Sequence, residues 1–247
     1  MIEIDIKDLT KVYKNKVVVD GLNLIINQGE LFALLGTNGA GKTTTIKMLS
    51  TLILPNHGEV KIHHYDLVEE RMKIKEFINV SPQETAIAPN LTVLENLEFM
   101  AGVYEIKEKK EKINKLIHMF QLERVLKQKA KTLSGGWQRK LSIAISLINE
   151  PKILFLDEPT LGLDVLARQE LWNVIRKLKG EVTIILTTHY MEEAENLSDR
   201  VGIMKEGKLI ALGTPKELMS QAGVSSFEEA FVKLEVLANE NIKFCKS

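Results

Sequence analysis

The chain has 247 residues, of which 45% are hydrophobic and 27% are charged, a composition typical of a soluble globular protein. Lys+Arg and Asp+Glu both number 33, so the zero net charge gives no overall attraction to nucleic acid or to an anionic membrane. No apolar run approaches the roughly 20 residues that span a bilayer, and the N-terminus lacks the basic flank and apolar core of a signal peptide. The single cysteine, Cys245, excludes an internal disulfide and fits a reducing cytoplasm. We therefore expect a cytoplasmic chain, and any membrane-spanning part is expected on another polypeptide.

The N-terminal segment carries the alternation of β-strands. Isoleucines in residues 2–6 alternate with two acidic residues, which predicts a half-buried strand with the acidic side chains on the opposite face. Residues 17–19 and 22–26 continue as short strands, so we expect an antiparallel β lobe. Tyr13 lies in this lobe among polar neighbours, where its ring could stack on a base. On these residues alone, a partly exposed packing role fits Tyr13 better.

The segment from Gly36 to Thr44 follows a buried-type strand and fits the pattern Gly, four residues, Gly-Lys-Thr of a phosphate-binding loop. Its glycines let successive N–H groups turn toward phosphate oxygens, and a helix that starts near Gly41 adds the positive end of its dipole. We expect Lys42 to reach the β- and γ-phosphates and Thr43 to hold Mg²⁺ through its hydroxyl. The predicted phosphate-binding positions are Gly36, Asn38, Gly39, Ala40, Gly41, Lys42, Thr43 and Thr44. The alternative, a glycine-rich turn that binds nothing, is disfavoured by the flanking strand and apolar-faced helix.

Beyond this loop, strands are predicted near residues 59–62 and 77–80. Gln83 follows the second strand and could reach a metal or a water, although alone it is more typical of a solvated loop. Residues 84–145 are rich in Lys and Glu, with apolar residues at helical spacing, which predicts an inserted helical lobe. Thr92 and Glu95 predict the capping box of one of its helices.

Ser134, Gly135 and Gly136 precede another helical pattern. A serine and two glycines at a helix start leave amides exposed without obstruction, so they can bind an anion. An ordinary N-cap explains the same residues about equally well, so they leave both interpretations open.

Two carboxylates follow the apolar run of residues 153–156, which predicts a buried parallel strand. Asp157 and Glu158 then lie at the carboxyl edge of the sheet, where open α/β sheets bind ligands. We expect Asp157 to hold Mg²⁺ through water, and Glu158 to accept a proton from a water that attacks the γ-phosphate. The next buried strand, residues 182–186, leads to His189, which can hydrogen-bond a γ-phosphate or that water. A surface turn for the carboxylates and a structurally satisfied histidine are the alternatives.

In this order, the motifs resemble those of the ATP-binding subunit of an ABC transporter over residues 2–234. Residues 36–44 match the Walker A motif, residues 133–137 the signature motif and residues 153–158 the Walker B motif with its glutamate. The resemblance implies that Gln83 lies in the Q-loop, that Asp164 lies in the D-loop and contributes to ATP binding, and that His189 is the switch histidine. It also implies that Tyr13 stacks on adenine.

Finer features resemble the drug-resistance and sodium-efflux exporters of that family. They are found in residues 161–164, 167–168, 171–172, 188–194 and 226–231. Trp137 departs from the glutamine often found after the two signature glycines, and Val165 departs from the proline common after the D-loop aspartate. These departures affect single positions, so the resemblance implies an exporter and leaves its cargo open.

The resemblance implies an α/β fold, with a P-loop NTPase core whose mainly parallel sheet is flanked by helices. We place this core and the antiparallel β lobe at residues 1–83 and 146–234, the helical lobe at residues 84–145, and a C-terminal tail at residues 235–247. The implied activity is MgATP hydrolysis in a head-to-tail dimer that drives a separate membrane permease. In that dimer, the P-loop of one subunit and the turn formed by Ser134, Gly135 and Gly136 of the other enclose each ATP.

Two other functions remain as alternatives. A soluble ABC ATPase that acts on nucleic acid or ribosomes is disfavoured by the single cassette, the lack of long coiled coils and the balanced charge. A non-catalytic regulatory module is disfavoured because Lys42, Asp157, Glu158 and His189 are all present.

Overall fold

The computed structural model describes residues 1–244, which form two β-sheets with helices packed around them. In chain order the strands are β1 (Ile2–Tyr13), β2 (Lys16–Asn27), β3 (Leu31–Leu35), β4 (His57–Ile62), β5 (Tyr65–Asp66), β6 (Ile78–Ser81), β7 (Ile153–Asp157), β8 (Thr183–Thr188), β9 (Arg200–Lys205) and β10 (Lys208–Gly213). The helices are α1 (Lys42–Leu49), α2 (Arg71–Lys75), α3 (Val93–Val103), α4 (Lys109–Phe120), α5 (Gly135–Ser146), α6 (Val165–Leu178), α7 (Met191–Leu197), α8 (Pro215–Ala222) and α9 (Phe227–Phe244). Short 3₁₀ helices lie at Leu122–Val125 and Ala130–Thr132.

The larger sheet has the strand order β10-β9-β3-β8-β7-β6 and is parallel except for β10. Its central strands β3, β7 and β8 are buried along their whole length, as their continuous apolar runs predict. Because parallel strands share a carboxyl edge, Leu35 pairs with Thr188 and Asp157 pairs with Thr187 at the same side of the sheet. The predicted α/β fold with a mainly parallel sheet is confirmed.

Alternate side chains of the central strands pack on opposite faces of this sheet. Leu154 and Leu156 pack in one core with the apolar residues of α3, α4 and α5. Phe155 points to the other face and packs in a second core with α1 and the antiparallel sheet. The predicted helical segment therefore covers one face of the sheet. The domain bounds at residues 84–145 stay a prediction.

The smaller sheet is antiparallel with the order β2-β1-β4-β5, which confirms the β lobe. The two short strands expected at residues 17–19 and 22–26 are one continuous strand, β2. Gly21 takes the left-handed φ of 61°, and its N–H donates to the hydroxyl of Thr10 at 3.0 Å, so the chain stays in the sheet at this point.

The alternation expected for β1 is wrong at its first residues. Glu3 is 2% exposed whereas Ile2 is 53% exposed. The β1–β2 register shifts between Ile2 and Ile4, which breaks the strict alternation of faces. The buried carboxylate of Glu3 lies 3.3 Å from Nδ1 of His63.

The capping box at the start of α3 is present. The N–H of Thr92 donates to the Glu95 carboxylate at 2.7 Å, and the N–H of Glu95 donates to the Thr92 hydroxyl at 3.2 Å. At the other end of the chain, α9 runs through the predicted boundary at residue 235, and Cys245 lies outside the described residues. Among residues 1–244, no helix is both long enough and apolar enough to cross a membrane.

Candidate nucleotide-binding site

The loop between β3 and α1 has the shape that its glycines predict. Gly39 and Gly41 take left-handed φ angles of 85° and 104°. A Cβ atom on Gly41 would lie 2.6 Å from the carbonyl oxygen of Val18, and one on Gly36 would lie 2.3 Å from that of Met204. Side chains at these positions would displace the main chain, so the loop shape depends on glycine. Its amides and the N-terminus of α1 are positioned to bind phosphate oxygens.

An open cavity of about 390 Å³ lies over this loop. Its lining residues are Val18, Asn38, Gly39, Ala40, Gly41, Lys42, Thr43, Thr44, Gln83, Glu158, Leu161 and His189. The fold thus brings the predicted phosphate loop together with three distant predicted residues, Gln83, Glu158 and His189. Gly36 is buried at the base of the same loop, where its carbonyl accepts a 2.7 Å hydrogen bond from Lys42.

A set of oxygen atoms suited to a hard cation lies beside the loop. The hydroxyl of Thr43 donates to Oδ1 of Asp157 at 3.0 Å, and the hydroxyl of Thr187 donates to the same oxygen at 2.5 Å. Asp157 is 4% exposed, so its carboxylate is held in a fixed orientation. Hydroxyl and carboxylate oxygens are the ligands that Mg²⁺ prefers, so these residues fit the predicted ion.

Glu158 contacts two of the other predicted catalytic residues. Its Oε1 lies 3.4 Å from Nζ of Lys42, and its Oε2 lies 2.7 Å from Nδ1 of His189. The backbone of Glu158 takes the left-handed φ of 48°, which is unfavourable for a glutamate, and its N–H donates to the carbonyl of Thr187 at 3.1 Å. A carboxylate that is 6% exposed and held by a histidine can accept a proton in a defined direction.

Other predicted residues lie apart from this cavity. Tyr13 is 45% exposed and is not among the lining residues of the cavity, and Nζ of Lys11 lies 5.3 Å from its ring centroid. The carboxylate of Asp164 caps α6 by accepting from the N–H of Ala167 at 2.9 Å. The roles of Tyr13 and Asp164 toward ATP stay predictions.

The turn formed by Ser134, Gly135 and Gly136 starts α5, with Ser134 as the N-cap. Gly135 lines a neighbouring depression of about 380 Å³ that also reaches Gln83 and Glu158. Within residues 1–244 this turn does not line the cavity over the phosphate loop, so any contact with a nucleotide there stays a prediction.

Sequence reasoning missed two polar residues at the site. Thr187 orients Asp157, and the signal was its place at the end of β8, beside the end of β7. Arg139 in α5 is 4% exposed and donates to main-chain carbonyls on both loops that carry Gln83 and Glu158. Burial lowers the pKa of Arg139 to about 10, although the nearby carboxylates, first Asp157, act in the opposite direction. The sequence carries no signal for this contact, because carbonyl acceptors have no side-chain signature.

Comparison with known proteins agrees with the geometry. The family model described as ABC transporter matches residues 19–161. The probable multidrug ABC transporter ATP-binding protein YbhF of Escherichia coli (strain K12) is 40% identical over 240 residues, which cover 94% of this chain and 41% of YbhF. The chain therefore spans about two fifths of the length of YbhF.

A relative of more similar length is the linearmycin resistance ATP-binding protein LnrL of Bacillus subtilis (strain 168). It is 38% identical over 247 residues, which cover 95% of this chain and 79% of LnrL. Among solved structures, the dimeric post-hydrolysis state of the ATP-binding cassette MJ0796 bound to ADP and Pi superposes with a TM-score of 0.77 at 29% identity. That match covers 85% of this chain and 98% of MJ0796. The chain belongs to the ABC transporter family.

Proposed function

We propose that this chain is the ATP-binding subunit of an export-type ABC transporter and that it hydrolyses MgATP in a head-to-tail dimer. The observation that carries the proposal is the meeting of Lys42, Glu158 and His189 around the phosphate loop, at one edge of the parallel sheet. The names of YbhF and LnrL, a multidrug and a linearmycin resistance protein, support export. They do not identify a cargo for this chain.

The side chains have separate roles in the proposed reaction. Lys42 binds the β- and γ-phosphates, since its ammonium group already lies at the base of the phosphate loop. Glu158 accepts a proton from the attacking water while the water oxygen bonds to the γ-phosphorus and the bond from this phosphorus to the β–γ bridging oxygen breaks. His189 fixes the orientation of the Glu158 carboxylate. Thr43 and Asp157, together with Gln83, would hold Mg²⁺, which would offset negative charge on the phosphates.

The proposed dimer is argued from the open cavity over the phosphate loop. The cavity over this loop is open to solvent, and the turn of Ser134, Gly135 and Gly136 is largely exposed at the start of α5. When a second subunit places that turn on the open side, ATP contacts both subunits and stabilises the closed dimer through differential binding. MJ0796 is named as a dimeric cassette, which supports this arrangement.

A separate permease is the proposed membrane partner, and it would hold the chain at the inner face of the membrane. Phe99 and Val103 on α3 are more than half exposed. The hydroxyl of Tyr104 accepts a 3.3 Å hydrogen bond from Asn79 in β6, so this apolar surface lies beside the strand that leads to Gln83. Exposed apolar groups of this kind suit a protein partner. The proposed docking surface is therefore α3 with the segment after Gln83.

The test is the Glu158→Gln variant together with the unchanged chain. The unchanged chain should bind MgATP in a calorimeter and hydrolyse it. Glu158→Gln should bind MgATP, turn it over about 10²–10⁴ times more slowly, and elute as an ATP-dependent dimer. Failure of the unchanged chain to bind MgATP would overturn the proposal, and brisk hydrolysis by Glu158→Gln would remove Glu158 as the base. Purification of the native complex from membranes should yield a hydrophobic subunit, whereas salt-sensitive nucleic-acid binding would favour a soluble ATPase.

A further inference from the structure

Arg139 joins three parts of the molecule through its guanidinium group. Nε donates to the carbonyl of Pro159 at 2.8 Å, and Nη2 donates to that of Asp157 at 2.9 Å. Nη1 donates to the carbonyls of Pro82 at 2.5 Å and Gln83 at 3.4 Å. The side chain starts on α5, reaches the loop after β6 and reaches the loop after β7.

All of these hydrogen-bond acceptors, found among residues 1–244, are main-chain carbonyls, so Arg139 leaves the side chains of the acceptor residues free. A carboxylate that paired with Arg139 would be lost to catalysis, whereas a carbonyl leaves the side chain of its residue free. The contacts fix the backbone on both sides of Glu158 and at Gln83, while the side chains of these residues line the cavity. The planar guanidinium group of Arg139 can donate to two loops at once, whereas the ammonium group of a lysine has a single donor nitrogen.

We propose that Arg139 is a positioning residue for ATP hydrolysis. Its hydrogen bonds hold the loops of Gln83 and Glu158 in a fixed position relative to each other and to α5. This inference rests on the proposed ATPase function. It adds that the helix starting at the Ser134 turn is attached directly to the catalytic edge of the same subunit. A displacement of α5 by a partner at its N-terminus is then transmitted to Glu158 through one side chain.

The neighbours of Arg139 on α5 have different contacts, which provides a matched control. The amide of Gln138 donates to the carbonyls of Ala130 and Leu133 within the helical segment. The ammonium group of Lys140, whose side chain is 5% exposed, lies 2.6 Å from the carboxylate of Glu170 on α6. Lys140→Met therefore removes a buried cation from the same helix turn and leaves both catalytic loops untouched.

The experiment compares the full-length Arg139→Lys, Arg139→Gln and Lys140→Met variants with the unchanged chain. Steady-state hydrolysis is measured against ATP and, separately, against free Mg²⁺, and MgATP affinity is measured by calorimetry. For Arg139→Lys we expect kcat to fall about 10²-fold, as for a misplaced catalytic group, while the affinity for MgATP changes less than about twofold. The Mg²⁺ concentration that gives half-maximal rate should rise about tenfold, because the backbone behind Asp157 and Gln83 is released. Lys140→Met should keep the kcat and the Mg²⁺ dependence of the unchanged chain.

Each outcome separates this inference from the proposed function. If the unchanged chain does not hydrolyse ATP, the proposed function fails. If it does, and Arg139→Lys matches Lys140→Met in kcat and in Mg²⁺ dependence, only the role of Arg139 is overturned. A lower kcat that follows the folded fraction, with an unchanged Mg²⁺ dependence, also overturns it, because that is the signature of a structural role. Arg139→Gln repeats the test with a neutral side chain should the lysine variant not fold.

Discussion

Two helices, α1 and α5, each begin at a glycine-containing segment that could bind an anion, but the surroundings of their N-termini differ. The start of α1 is surrounded by Lys42, Asp157, Glu158 and His189, and Lys42 is only 5% exposed. At the start of α5, the turn of Ser134 and its two glycines is largely exposed. Apart from its chain neighbours and the backbone of α5, no described residue has a heavy atom within 4 Å of a Cβ built on Gly135. The N-terminus of α1 has a lysine, two carboxylates and a histidine beside it, whereas that of α5 offers amides and one hydroxyl.

This difference fits the proposed roles of the two helices. The N-terminus of α1 would bind the triphosphate, and that of α5 would complete the nucleotide site of a second subunit. A bound triphosphate needs positive charge to offset its own. Of the two helix starts, that of α1 has a lysine and also a hydroxyl–carboxylate pair that could hold a cation. The α5 start is open enough to approach a phosphate that is already held elsewhere. This contrast is what the dimer proposal requires, and substitutions at each helix start can test it.

Of the substitutions at the two helix starts, Gly135→Asp is expected to have the largest effect. A carboxylate at the first position of α5 suits the helix dipole, so the fold should persist. The same charge opposes a phosphate on a second subunit, and juxtaposed like charges cost several kcal/mol, which corresponds to a loss of turnover of about 10²–10³-fold. The MgATP affinity of the monomer should change less than twofold in calorimetry. Gly135→Asn adds a similar volume without the charge and should retain at least ten times more activity; equal losses in both variants would point to a steric cause.

A smaller effect, on affinity, is expected from Lys42→Ala at the other helix start. The ammonium group of Lys42 donates to the carbonyl of Gly36 at 2.7 Å, at the base of the loop where the phosphates are expected to bind. The loss of a hydrogen bond to a charged group costs about 1.5–3 kcal/mol, so the MgATP affinity should fall about 10–100-fold in calorimetry. Lys47→Ala, an exposed lysine in the last turn of the same helix, should bind as the unchanged chain does. If both variants bind equally well, Lys42 is not the phosphate ligand.

These residues also show how far sequence reasoning reaches. Asp157, Glu158 and His189 were expected to meet because they follow neighbouring parallel strands, and that argument depends only on local patterns and on sheet geometry. Arg139 was not found, because a charged residue on a helix is typical of a solvated face and its carbonyl partners belong to distant loops. The break expected in β2 had a similar cause: Gly21 indicates a turn locally, but pairing with β1 keeps the strand continuous.

A buried acid on α7 provides the smallest expected effect. Glu193 on α7 is 0% exposed, and the indole N–H of Trp172 donates to its Oε1 at 3.0 Å. Burial raises the pKa of Glu193 above its ordinary value of 4.5, although the hydrogen bond from Trp172 acts in the opposite direction. Well below pH 4.5 this carboxyl is protonated in both the folded and the unfolded chain, so its titration does not change the stability there. As the pH rises from 4.5 through the raised pKa, the unfolded chain loses this proton first, so the folded state loses stability.

Glu193→Gln should remove this loss, because the neutral amide keeps an acceptor for Trp172 and carries no ionisable proton. We expect its Tm, measured relative to the unchanged chain, to be higher at pH 8 than at pH 5. Glu192→Gln is the control, since the side chain of Glu192 is 61% exposed and its nearest cation, on Arg168, lies at 3.8 Å. Its Tm difference should be the same at both pH values. A Tm difference for Glu193→Gln that is equally flat with pH would mean that the carboxyl of Glu193 titrates normally, and the buried acid would then contribute packing without any dependence on pH.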